Sequence, residues 1–225
     1  GYGRDIEPGL PDKHELIHIF RETAETAGRD RMVWRYDPVL FNERYPAEYH
    51  FRAFEAIAEG ICGCTDKVVI SFLDCYGKTK RNMRGIPLEL PDEETMKRTG
   101  ERFVKTAEKY GMTVESCAET VDLSEVGVRH GSCVDPAMIE RILGVPVRVK
   151  KDKNQRPECG CVESVETGAY DTCLCGCKYC YANDSEGAVM RRRAEYDVHA
   201  PLLCGRVEEG DRITVRRTSR ILTGE

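Results

Sequence analysis

Apolar residues at helical spacing predict four helices in the first 150 residues. The first begins after a capping Asp12 and ends before Gly28. The second is centred on Phe54, the third follows Asp92, and the fourth follows Asp135. The apolar positions of the fourth helix, which we expect to face the core, are Met138, Ile139, Ile142 and Leu143.

Short continuous apolar runs between these helices predict strands. The clearest run occupies residues 67–73 (KVVISFL), and weaker runs occupy residues 31–35 and 112–117. Continuous apolar runs are typical of parallel strands that are covered on both faces. Strands that alternate with helices predict an α/β fold of parallel βα units. We expect part or all of a TIM-type barrel, with an open doubly wound sheet as the alternative.

The chain divides into two regions that we expect to pack as one domain. Residues 1–150 contain the βα repeat, and residues 151–225 contain a cysteine-rich loop and a short tail. The chain opens without Met on residues 1–4 (GYGR), which resemble the loop after a strand. We therefore expect a truncated barrel region that lacks its N-terminal strands.

Composition narrows the range of partners. The net charge of −5 gives no general attraction to nucleic acid, and we interpret the basic runs at 148–156, 191–193 and 216–217 as solvated surface. No apolar run approaches the roughly 20 residues that span a bilayer, so we expect no membrane partner. Twelve cysteines favour metal binding over disulfides, and we predict a reducing, cytoplasmic location.

The densest cysteine region carries the first candidate metal site. Cys173, Cys177 and Cys180 have the spacing CxxxCxxC, and thiolates select iron–sulfur clusters, zinc or copper(I). Three cysteines would leave one iron of a four-iron cluster open for a ligand. A closed zinc site formed by Cys159, Cys161, Cys177 and Cys180 is the alternative, and unmetallated thiols are a third.

A second set of four cysteines contains the candidate ligands of a second cluster or a zinc ion. Cys117 lies at a strand end, Cys133 in a later loop, and Cys159 and Cys161 form a CxC pair. These four could converge in the folded chain. The alternative is that Cys117 is only a small buried side chain.

Polar residues follow the predicted strands and form a candidate catalytic group. They are Arg35, Asp37, Asp74 and Glu119. In parallel α/β folds, residues that carry chemistry collect at the carboxyl ends of the strands. The alternative is that Arg–Asp pairs at these positions only fasten loops.

Two levels of resemblance extend this interpretation. The CxxxCxxC motif with Tyr179 before its last cysteine resembles the cluster motif of radical S-adenosylmethionine (SAM) enzymes. Over essentially the whole chain, the sequence resembles the uncharacterised domain-of-unknown-function family 1848. The segments that carry this likeness are WRYDP at 34–38, ISFLD at 70–74, CAE at 117–119, HGSCVD at 130–135, QR at 155–156, CGC at 159–161, GAY at 168–170 and GCKYCYAN at 176–183.

The resemblance implies a cofactor and a reaction class. Cys173, Cys177 and Cys180 would hold a [4Fe-4S] cluster whose open iron binds SAM, and reductive cleavage of SAM would start chemistry on a small-molecule or other unknown substrate. Gln155, Arg156 and Tyr179 are candidate cofactor-binding residues. The electron donor would be a ferredoxin or a flavodoxin. The alternative function is a non-catalytic protein with a structural zinc or iron–sulfur site.

One departure from ordinary radical SAM enzymes concerns the order of the elements. Their cluster motif normally lies near the N-terminus, whereas here it lies near the end of the chain. A circularly permuted barrel would reconcile the two, with residues 162–170 as its first strand. This hypothesis requires the cysteine loop to lie close to Asp37, Asp74 and Glu119.

Overall fold

A parallel sheet forms the centre of the molecule. The computed structural model describes residues 1–74 and 77–215. Four parallel strands lie side by side in chain order: β1 (Trp34–Val39), β2 (Lys67–Phe72), β3 (Thr113–Ser116) and β4 (Arg129–His130). These four strands form an open sheet. The predicted parallel βα architecture is confirmed, whereas a TIM-type barrel stays a prediction.

The described residues form six α-helices, of which four match the sequence prediction. They are α1 (Lys13–Ala27), α2 (Ala47–Gly60), α3 (Gly77–Asn82), α4 (Glu93–Lys109), α5 (Pro136–Leu143) and α6 (Glu186–Ala194). The unpredicted helices are α3 and α6, which are short and bury only Thr79 and Val189 respectively, so neither shows an apolar stripe. No helix within residues 1–74 or 77–215 is long and apolar enough to cross a membrane.

Helices α2 and α4 cover one face of the sheet. Phe54 of α2 stacks on Phe103 of α4 with ring centroids 4.2 Å apart, and both side chains are fully buried. Trp34 and Tyr36 of β1 pack edge-on or tilted against the same pair. Because side chains alternate across a strand, the apolar positions of β1, β2 and β3 meet these helices in one core.

The opposite face of the sheet is partly polar, which the apolar runs did not predict. Arg35, Val69 and Glu115 stand side by side in the register of β1, β2 and β3. Lys67 lies on the same face and forms ion pairs with Glu115 and with Asp135, the residue that caps α5. Ion pairs therefore cover this part of the sheet, where a doubly covered sheet would have a second apolar layer.

Several local predictions differ from the structure. The first strand continues to Val39, with an irregular register after Tyr36, instead of ending before Pro38. Met138, Ile139 and Ile142 of α5 are only half-buried and Leu143 is exposed, because the helix lies at the rim of the molecule beside the turn at Arg29–Arg31. Residues 163–170 contain no strand, and Val162 makes only a single bridge to Lys151.

Candidate functional site

The polar residues predicted at the strand ends lie at one edge of the sheet. Arg35 and Asp37 of β1 form an ion pair. Asp74, which follows β2, accepts a hydrogen bond from Arg156 Nη1 at 2.6 Å. Beyond β3, Glu119 Oε1 accepts a hydrogen bond from the backbone N–H of Phe72 at 2.7 Å. The fold therefore brings Asp37, Asp74 and Glu119 near one another toward the carboxyl end of the sheet, and Arg35, the second residue of β1, joins them through its ion pair with Asp37.

Glu119 is held in a setting that makes it a proton acceptor or donor near neutral pH. Burial raises the pKa of Glu119 to about 7, and the nearby carboxylates of Asp74 and Asp37 act in the same direction against the opposing effect of Arg156. The residue before it, Ala118, is buried and has a left-handed backbone with φ of 52°. Left-handed non-glycine residues are costly and cluster at functional sites.

The second set of cysteines meets at the same edge. Cys117 and Cys133 lie with their Sγ atoms 3.3 Å apart, and the Nη1 group of Arg35 donates to Cys133 Sγ at 2.9 Å. The sulfur of Cys161 accepts hydrogen bonds from the backbone N–H of Cys133, and the sulfur of Cys159 accepts one from Cys161. The structure thus joins these four residues through a series of pairwise contacts, and their role as one metal site stays a prediction.

The contact with Cys117 and the charge of Arg35 favour a thiolate at Cys133. The hydrogen bond from Cys117 and then the guanidinium of Arg35 lower the pKa of Cys133 to about 5, against the opposing effect of burial. The pKa of Cys117 is raised in turn, because its thiol supplies that hydrogen bond and is itself buried. These opposite pKa shifts favour a thiolate at Cys133 and a neutral thiol at Cys117.

The cysteine-rich loop is fastened to the beginning of the chain. The backbone N–H of Gly9 donates to the carbonyl of Cys175 at 2.9 Å, and the N–H of Lys178 donates to the carbonyl of Ile6 at 2.9 Å. Tyr179 donates its hydroxyl to the buried Glu7 at 2.6 Å. Two segments about 170 positions apart in sequence are thus joined by backbone and side-chain bonds.

The sulfur atoms of this loop lie in one neighbourhood. Burial, a hydrogen bond with Cys173 and the charges of Cys173, Cys177 and Cys180 raise the pKa of Cys175 to about 11. In the part of the chain that the structure describes, no group of three or more His, Cys, Asp or Glu side chains has its donors already arranged around a metal. The loop fits a thiophilic metal by donor chemistry, and its sulfur atoms would still have to turn toward a common centre.

The cysteine loop also reaches the polar edge of the sheet. Burial and then the charges of Tyr170 and Cys180 raise the pKa of Tyr181. The charge of Arg35 lowers this pKa, and that of Asp37 raises it. Asp184 binds Arg81 of α3 at 3.0 Å, just beyond the end of β2. Tyr179 of the loop lines one cavity together with Arg35 and Asp37 of β1, so this part of the loop lies beside the first strand.

A cavity of about 310 Å³ lies between the N-terminal segment, β1 and the cysteine loop. Apolar side chains of α1 and α2 line it together with charged side chains and three phenols, which are Glu7, Lys13, Arg35, Asp37, Tyr2, Tyr36 and Tyr179. A few polar groups in an otherwise apolar wall are typical of small-molecule sites.

The three predicted cofactor-binding residues lie in three different settings, and their role in binding a cofactor stays a prediction. The hydroxyl of Tyr179 donates a hydrogen bond to Glu7 and so attaches the loop to the N-terminal segment. The side chain of Gln155 is exposed. Arg156 does lie at the polar edge, where it pairs with Asp74. The sequence prediction missed Glu7, which accepts from Tyr2 N–H as well as from Tyr179, because a single acidic residue in a loop carries no pattern.

Comparison with known proteins gives one match. A family model described as Domain of unknown function (DUF1848) matches residues 1–182. The chain belongs to this family. The predicted family is thereby confirmed, and both cysteine sets and all candidate catalytic residues lie inside the matched region. No curated protein and no solved structure gives a significant match.

Proposed function

We propose that this protein is an iron–sulfur enzyme of the radical SAM type, whose cluster is held by Cys173, Cys177 and Cys180. Thiolates are the ligands that iron–sulfur clusters use, and three of them leave one iron free for a further ligand. The loop supports this because its cysteines share one neighbourhood and are packed against the N-terminal segment.

The observation that carries the proposal is the cavity that Tyr179 of this loop shares with Arg35 and Asp37 of β1. Tyr181 directly follows Cys180, and the charges of Arg35 and Asp37 affect its pKa in opposite directions. In parallel α/β folds, substrates bind at the carboxyl end of the sheet. A metal that only stabilised the fold would not need acidic and basic groups beside it, whereas an enzyme needs them to hold and orient its substrate.

The residues of the chain have distinct tasks in this proposal. When bound, the cluster and SAM would supply the reductive cleavage that starts hydrogen abstraction. Glu119, with a pKa of about 7, can hold or release a proton at neutral pH. The pairs Arg35–Asp37 and Asp74–Arg156 present both signs of charge for a polar substrate. The cavity beside Tyr179 offers a place for a small molecule.

A structural metal site is the second candidate, and one observation favours it. The loop is tied to the N-terminal segment through Gly9 and Lys178, so that a zinc ion or a closed cluster there would staple two distant parts of the chain. Such a protein would hold its metal without converting SAM.

Anaerobic purification separates the two candidates. We expect a brown protein with iron and sulfide, a visible absorbance that bleaches with dithionite, and formation of 5′-deoxyadenosine from SAM. Cys177→Ala should lose the iron of this loop. The control is Cys62→Ala, which changes an exposed cysteine just after α2 and should keep the iron. A colourless zinc protein that leaves SAM intact would overturn the proposal in favour of the structural site.

A further inference from the structure

We propose a second thiolate metal centre, separate from the cysteine loop, with Cys117, Cys133, Cys159 and Cys161 as its ligands. The metal would be a thiophilic one, either zinc or the iron of a cluster. Cys117 follows β3, Cys133 follows β4, and the CxC pair comes from the segment after α5. Three separate parts of the chain therefore contribute to one place.

A continuous series of contacts joins the four residues. The Sγ atoms of Cys117 and Cys133 are 3.3 Å apart. Cys161 Sγ lies 3.1 Å from the backbone nitrogen of Cys133, and Cys159 Sγ lies 3.5 Å from that of Cys161. Because no set of three donors is preformed in the described residues, a metal would complete the centre through rotation of these side chains.

Backbone N–H groups already point at the sulfur atoms. Cys161 Sγ accepts from both Cys133 and Val134, the latter at 3.4 Å, and Cys159 Sγ accepts from Cys161. A neutral thiol is a weak acceptor, whereas a charged sulfur accepts strongly. Hydrogen bonds of this kind orient the ligands of a metal and reduce their charge.

Charge and burial are consistent with a metal centre. Cys159 and Cys161 are 7% exposed and form a small buried cluster with Ala118, Cys117 packs against it half-buried, and Cys133 lies at its exposed side. Four thiolates around a divalent cation leave an excess of negative charge. Arg35 lies 2.9 Å from Cys133 Sγ and can offset part of that excess.

The second centre would also position a residue of the proposed active site. Arg35 contacts Cys133 through Nη1 and pairs with Asp37 through Nη2. A metal that fixes Cys133 would therefore fix one side of the Arg35 guanidinium. Arg35 acts here as a link between the two sites, and the existence of the second centre does not depend on the proposed function.

The test removes the first site before the second is measured. In a protein with Cys173, Cys177 and Cys180 all changed to Ala, nine of the twelve cysteines remain. We expect this protein to retain about one zinc per chain, or iron with sulfide if the centre is a cluster. Titration of the metal-free protein with cobalt(II) should give the intense charge-transfer bands of thiolate ligands, and zinc should protect four thiols from modification.

Further variants assign the ligands. In the same background, Cys133→Ala and Cys161→Ala should each lose the metal and the cobalt bands, while Cys62→Ala should keep both. The thiol-protection measurement needs no change at the four ligands, so it stays informative if those variants do not fold. Full access of all nine thiols in the presence of zinc would overturn the proposal, as would a Cys117–Cys133 disulfide in freshly purified, metal-free protein.

Discussion

Acidification should destabilise the fold through one buried side chain, His50. This residue of α2 is fully buried. Its Nε2 lies 2.8 Å from the carbonyl oxygen of Leu40, which can only accept, so Nε2 carries the proton and donates. Its Nδ1 therefore accepts from the hydroxyl of Tyr36 at 3.0 Å. The neutral ring is fully satisfied, and a second proton would have to enter an apolar, desolvated site.

The magnitude follows from the shift in pKa. Burial lowers the pKa of His50 from 6.5 to about 4. One pKa unit corresponds to about 1.4 kcal/mol, so the full effect is about 3 kcal/mol. Between these two values the unfolded chain binds the proton and the native chain does not. The stabilisation is therefore complete above the unfolded pKa of 6.5 and is lost as the pH falls toward about 4.

Urea unfolding across this pH range tests the reasoning. The free energy of unfolding of the wild type should fall by about 2 kcal/mol more between about pH 7.5 and about pH 4.5 than that of His50→Gln, which cannot titrate. Carboxylates such as Asp135, whose pKa is lowered in the native state, titrate in both proteins and cancel in the difference. Parallel curves for the two proteins would refute the assignment of this pH dependence to His50.

Two further predictions concern the polar face of the sheet and the cysteine loop. Lys67→Met should lower the free energy of unfolding by about 2 kcal/mol at neutral pH, because two partly buried carboxylates lose their shared cation, and the loss should shrink in acid. Lys105→Met, at an exposed helix pair, should cost under about 0.5 kcal/mol, and equal losses in urea unfolding would contradict this account. Gly9→Ala would bring a Cβ within 2.8 Å of the carbonyl oxygen of Cys175, so it should displace the loop and reduce its iron content after anaerobic reconstitution. Gly77→Ala, where a Cβ meets open space, should leave the iron content unchanged, and equal iron in both variants would exclude a role for the Gly9 contact.

Local patterns were sufficient for four of the six described α-helices and for three of the four strands, and they missed α3, α6 and β4. The apolar run at 67–73 is one strand of the sheet, Lys67–Phe72, because a continuous apolar stretch of that length buries itself only between neighbours. Capping residues were equally informative, since Asp92 and Asp135 accept from backbone N–H groups at the starts of α4 and α5. The apolar stripe of α5 is covered only in part, with Met138, Ile139 and Ile142 half-buried and Leu143 exposed, because a stripe shows which side is apolar and not how much of it is covered.

The sequence by itself determined the family, the parallel βα units and which residues could carry chemistry. Only the tertiary structure decided which of them meet. Spacing along the chain identified Cys159 and Cys161, but their approach to Cys133 depends on how the segment after α5 returns to the sheet. The attachment of the cysteine loop to Glu7 and Gly9 had no local signal at all. Short-range periodicity records the burial of single elements, whereas contacts between distant segments arise only when those elements pack.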